Sequence, residues 1–67
     1  MRNDIKALRT DRRWSQAELG TALGVSRQTV IALENGKYDP SLPLAFKIAE
    51  TFEKQIEEIF HPDAPGE

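Results

Sequence analysis

The chain has 67 residues, enough for one domain with a small core, since a chain this short buries only about 60% of the surface it exposes when unfolded. It has no cysteine, which excludes disulfides and thiolate metal sites, and no apolar run near the ~20 residues of a membrane span. Its net charge of −2 weighs against nonspecific attraction to a polyanion, but the charges are unevenly placed: five basic and two acidic side chains over residues 1–14, two and three over 15–41, two and six over 42–67. No signal-peptide pattern precedes the first predicted helix, and the expectation is a soluble, cytoplasmic protein.

Asn3 to Arg12 are predicted to form the first helix, with Ile5 and Leu8 on its inner face and Arg12 at its frayed end. On an ideal helix Arg2, Lys6, Arg9 and Arg13 fall within ~60° of arc and make a basic stripe. That stripe either meets phosphate or is a solvated face, partly offset by Asp4 and Asp11. Trp14, the only tryptophan, reads as a hydrophobic lid over the first two helices.

Ser15 opens the second helix, and Glu18 three residues later completes an S-x-x-E capping box. Leu19, Ala22 and Leu23 follow at helical spacing. Gly24 supplies the left-handed residue that ends the helix, and Val25 plugs the turn from inside. Ser26 caps a third helix, which Asn35-Gly36 stops. Two short helices around a glycine turn make a helix-turn-helix, whose second helix is shaped to enter a DNA major groove. At ~100° per residue Val30 and Leu33 point inward together, while Arg27, Gln28, Ile31 and Ala32 share another face. Arg matches the two acceptors of guanine, Gln the donor and acceptor of adenine, and Ile and Ala suit a thymine methyl. Alone, Arg27 and Gln28 would pass for solvated residues of a first turn; in this motif they read as base contacts. The basic start of the chain would then face DNA and the acidic end face away.

Tyr38-Asp39-Pro40 is a turn, and Ser41 caps a fourth helix with Leu42 and Pro43 in its first positions. Leu44, Ala45, Ile48, Ala49 and Phe52 form its apolar stripe. A short fifth helix carries Ile56, Ile59 and Phe60, and Pro62 ends it. The expected fold is all-α, a compact five-helix bundle with no strand. Its core is Ile5, Leu8, Leu19, Leu23, Val25, Val30, Leu33, Leu44, Ile48, Phe52, Ile56 and Ile59. Residues 1–61 are the domain and 62–67 a short flexible tail.

The segments SQAELGTALGVSRQTVIALENGKYDPSLPLAFKIAETF and IEEIF, with the leading IKALRTDRRW, resemble the Xre-type helix-turn-helix regulators, the group that includes Cro and the phage-repressor DNA-binding domains. The likeness covers roughly Met1 to Phe60. It implies double-stranded DNA as partner, a phosphate-anchoring role for Gln16, and base reading by Arg27, Gln28 and Ala32. Ser26 and Thr29 would meet phosphate or serve the cap. Lys37 and Tyr38, with Asn35, match the loop that meets the DNA backbone, although Asn35 reads better as a helix end. The resemblance also implies a structural ion pair between Arg9 and Glu34, which would remove Arg9 from the basic stripe. Two departures stand out. Relatives often carry glycine where Arg13 stands and between the fourth and fifth helices, where this chain has Phe52-Glu53-Lys54-Gln55. That join is either a strained turn or an almost continuous helix.

No enzyme chemistry is expected. His61 reads as a solvated terminal residue, and Glu57 and Glu58, being adjacent on a helix, point apart with no nucleophile or metal cluster beside them. No cofactor, small-molecule effector or membrane partner is implied. The leading expectation is a sequence-specific regulator, a repressor, binding a palindromic operator as a homodimer through contacts near the fifth helix, where Phe60 would be exposed. The competing one is a protein-interaction module of the same fold, suggested by the acidic C-terminal third and an exposed Ile31.

Overall fold

Asn3 joins three parts of the molecule. In the computed structural model, which describes residues 1–62, it lies in a two-residue strand β1 (Arg2–Asn3) that pairs antiparallel with β2 (Phe60–His61), Arg2 opposite His61 and Asn3 opposite Phe60. Its side-chain oxygen accepts from the Ile5 N–H at 3.0 Å, and its amide nitrogen donates to the Leu33 carbonyl at 2.8 Å. The expected first helix therefore begins later than Asn3, and the expectation of no strand is corrected. Two-residue strands are too short to show any alternation. Between the strands lie α1 (Ile5–Asp11), α2 (Gln16–Leu23), α3 (Arg27–Glu34), α4 (Leu42–Phe52) and α5 (Ile56–Ile59). The molecule is an all-α bundle with this small strand pair closing one side.

The caps follow local chemistry. Ser15 accepts from the Glu18 N–H while Glu18 accepts from the Ser15 N–H. Ser26 and Ser41 accept from Thr29 and Leu44. Each satisfies a helix-end donor that would otherwise lack a partner, a contribution of about 1 kcal/mol. Gly24 adopts φ +74°, and the Val25 N–H bonds back to the Gly20 carbonyl at 2.9 Å.

Ile5, Leu19, Val30, Leu33, Ile48 and Ile59 are fully buried, joined by Leu23, Ala45, Ala49, Phe52 and Phe60. Leu8, Trp14, Val25, Leu44 and Ile56 pack partly buried against them. Phe60 is 8% exposed; the expectation that it stands free is corrected, because its place in β2 turns it onto the core. Trp14 stacks tilted on Phe52 at 6.0 Å, so it covers α4 as well as the start of the bundle. Arg12 is no frayed end. Its guanidinium lies 5.2 Å from the ring centres of both Trp14 and Phe52, and its Nη1 donates to the Thr51 carbonyl at 3.0 Å.

The α4–α5 join is a turn. Glu53 takes the left-handed conformation (φ 55°, ψ 44°), the Lys54 N–H bonds to the Ala49 carbonyl at 3.0 Å, and the Glu58 carboxylate accepts from the Gln55 N–H at 2.9 Å to open α5. Arg13, the other position where the resemblance implied glycine, also has positive φ, at 60°. The expected flexible tail, apart from Pro62, lies outside the described residues.

Candidate nucleic-acid interface

The rotation of α3 about its own axis is set by Val30 and Leu33, both fully buried. That rotation leaves Arg27 and Gln28 exposed on the first turn, directly after the Ser26 cap. Ala32 is half-buried beside them, and so is Ile31, correcting its expected exposure. The Ser26 and Thr29 hydroxyls are 3.0 Å apart and the Thr29 N–H donates to Ser26 Oγ at 3.1 Å. Both side chains therefore serve the cap in the free protein, while Ser26 stays exposed.

At the other end of α3, Glu34 accepts from Arg9 Nε at 2.5 Å through Oε2 and from Arg9 Nη2 at 3.2 Å through Oε1. Arg9 Nη1 donates to the Trp14 carbonyl at 2.8 Å. The hydrogen bond to Glu34 holds the Arg9 guanidinium above its ordinary pKa, against the opposing effect of burial. Gln16, on the first turn of α2, donates Nε2 to Glu34 Oε1 at 3.2 Å. The ion pair and Gln16 thus form one junction between α1, α2 and α3.

Lys37 and Tyr38 are exposed in the loop after α3, where the Lys37 N–H bonds to the Ala32 carbonyl at 3.1 Å. The basic stripe on the first helix does not form: Arg2 is in a strand, Arg9 is buried and Arg13 lies past the helix end. Lys6 alone of the four is an exposed helical cation. His61, expected to be solvated, lies with Nε2 2.8 Å from Asp4 Oδ2. Among the described residues no group of His, Cys, Asp or Glu is arranged to hold a metal ion, and no helix is long and apolar enough to cross a membrane.

This arrangement, a capped helix presenting its first turn beside a second helix across a glycine turn, coincides with a family model described as helix-turn-helix, which matches residues 5–59. The chain belongs to the helix-turn-helix family. It is 57% identical over 60 residues to an uncharacterised HTH-type transcriptional regulator of Methanocaldococcus jannaschii, covering 90% of this chain and 91% of the relative. A similar regulator of Archaeoglobus fulgidus is 50% identical over 60 residues, covering 90% and 84%. One of Bacillus subtilis is 48% identical over 60 residues, covering 90% and 91%. Among solved structures, a hypothetical transcription factor from Neisseria superposes with a TM-score of 0.74 at 25% identity; the match covers 82% of this chain and spans 62% of that one.

Within this helix-turn-helix domain, three supports of the fold escaped the sequence reading. Asn3 ties the end of α3 to the start of α1. Arg12 fixes the α1 end against α4. Gly20 sits where a Cβ would come within 2.8 Å of the Val25 carbonyl oxygen. A glycine at the position after Leu19, five residues before Val25 in the turn, is the one of these signals that the sequence carried openly.

Proposed function

We propose that the chain is a sequence-specific double-stranded DNA-binding transcriptional regulator that acts in the cytoplasm as a repressor, without catalytic activity. The observation that carries this reading is the exposure of Arg27 and Gln28 on the first turn of a helix anchored by fully buried Val30 and Leu33. Two planar hydrogen-bonding side chains are thereby offered where base edges lie when such a helix enters the major groove. Ile31 and Ala32 complete the base-reading face. Gln16, Ser26, Thr29, Lys37 and Tyr38 contact the sugar-phosphate backbone, which sets register without reading sequence.

The regulator works as a homodimer on a palindromic operator, its half-sites about 34 Å apart. An apolar groove of about 250 Å³, lined by Met1, Asp39, Pro40, Leu42, Ala45, Ile56 and Phe60, supports the dimer. Leu42 (64%) and Phe46 (59%), one turn apart on α4, are the most exposed large apolar side chains among the described residues. A second copy that covers them would be self-complementary. The interaction-module alternative drew in part on an exposed Ile31, which is half-buried.

Selection from a pool of random duplex DNA, repeated across salt concentrations, tests the reading. Enrichment of a two-fold symmetric motif with half-sites one helical turn apart is the expected outcome. A single enriched half-site would remove the dimer, and no enrichment at low salt would remove the DNA function.

A further inference from the structure

Glu34 is the hub of the junction between α1, α2 and α3. Arg9 donates to both of its oxygens, and Gln16 Nε2 donates to Oε1 at 3.2 Å. The side chains of Arg9 and Glu34 are 10% and 3% exposed, so the hub is nearly dry and its geometry is tightly held.

A carboxylate paired with a guanidinium only accepts hydrogen bonds. Gln16 must therefore turn its NH2 group, not its oxygen, towards Glu34. One of the two NH2 hydrogens is taken by Glu34 and the other stays available for an external acceptor. It lies on the first turn of α2, where the Gln16 and Ala17 backbone N–H groups also lack intrahelical partners. Arg9 neutralises Glu34, so the carboxylate holds the amide without presenting a free negative charge to an approaching anion. An unattached glutamine would have to give up rotamer freedom on binding; here that ordering is already done.

We propose that Glu34 is a positioning residue for DNA-backbone binding. With Arg9 as its counter-charge, it fixes the Gln16 amide so that one N–H is left for a phosphate oxygen. The proposal rests on the DNA-binding reading above and extends it from Gln16 to the pair behind it.

The test is a scan of the selected operator with single neutral methylphosphonates. In the wild type, the phosphate met by Gln16 should be among the sensitive positions of each half-site and should lose about tenfold in affinity when neutralised, the size of a hydrogen bond to a charged group. Gln16→Ala should abolish the sensitivity at that position alone. The double variant Arg9→Met/Glu34→Leu replaces the ion pair with apolar side chains, a change that buried pairs often tolerate. It should melt close to the wild type and yet lose sensitivity at the same phosphate, to within about twofold. A stable double variant that keeps the tenfold effect overturns the proposal and leaves the DNA reading intact. Wild-type protein that binds no duplex at low salt overturns both. Should the double variant fail to fold, side-chain amide relaxation of the free wild type decides. The Gln16 NH2 should be more restrained than that of the exposed Gln28, and equal mobility overturns the proposal.

Discussion

Gly20 in α2 and Val25 in the turn approach so closely that a Cβ on Gly20 would stand 2.8 Å from the Val25 carbonyl oxygen. This approach closes the angle between α2 and α3 and is locked by the Val25 N–H bonding back to the Gly20 carbonyl. Backbone cannot swing aside as a flexible side chain can, so a branched residue must push the two helices apart. Gly20→Val should cost about 3 kcal/mol, at the upper end for overpacking. Urea unfolding monitored by circular dichroism measures it.

The α4–α5 join predicts a gain. Glu53 holds left-handed backbone angles, which cost a residue with a Cβ about 1–2 kcal/mol. Its side chain is exposed. Glycine removes the strain but adds freedom to the unfolded chain, which returns about 0.5–1 kcal/mol. Glu53→Gly should therefore stabilise by about 0.5–1 kcal/mol, a rise of roughly 4 °C in Tm for a domain of this size. An unchanged or lower Tm would show that the turn is not strained.

Arg12 predicts a stability effect away from the proposed DNA face. Its guanidinium lies against Trp14 and Phe52 and caps the Thr51 carbonyl. Arg12→Ala should cost about 1–2 kcal/mol through the lost cation–π contact and hydrogen bond. Trp14 emission should shift as the ring gains access to water, while Arg12→Lys should restore only part of the loss because an ammonium lacks the planar stacking surface.

The apolar patch on α4 predicts the assembly. Leu42→Glu places a charge on the proposed self-complementary surface. The position is already exposed, so the monomer fold should be within about 0.5 kcal/mol of the wild type. Sedimentation equilibrium should show a shift from dimer to monomer, and affinity for a full palindrome should fall towards that for one half-site.

Much of this fold was legible because its signals are local. Ser15, Ser26 and Ser41 announce helix starts within four residues, Gly24 announces a helix end, and the inward pair Val30 and Leu33 fixes the exposed face of α3 by periodicity alone. The parts that were not legible depend on contacts between distant residues. The bond from Asn3 to the Leu33 carbonyl spans 30 residues, and the one from Arg12 to the Thr51 carbonyl spans 39. Neither side chain's type nor its neighbours in sequence indicate such a partner. Phe60 was misplaced for the same reason: as a helix residue it points out, but as the strand partner of Asn3 it turns onto the core. At the proposed site, helical geometry placed Arg27 and Gln28, but it could not show that Gln16 is already held by Glu34.

The most direct test of the account is the base preference of Arg27→Ala, measured by competition among all single-base variants of the selected operator. The account predicts a loss of about 1–3 kcal/mol on the preferred site, with discrimination relaxed at one base position in each half-site and retained at the others. Unchanged affinity and unchanged preference at every position would contradict the assignment of α3 as the reading helix.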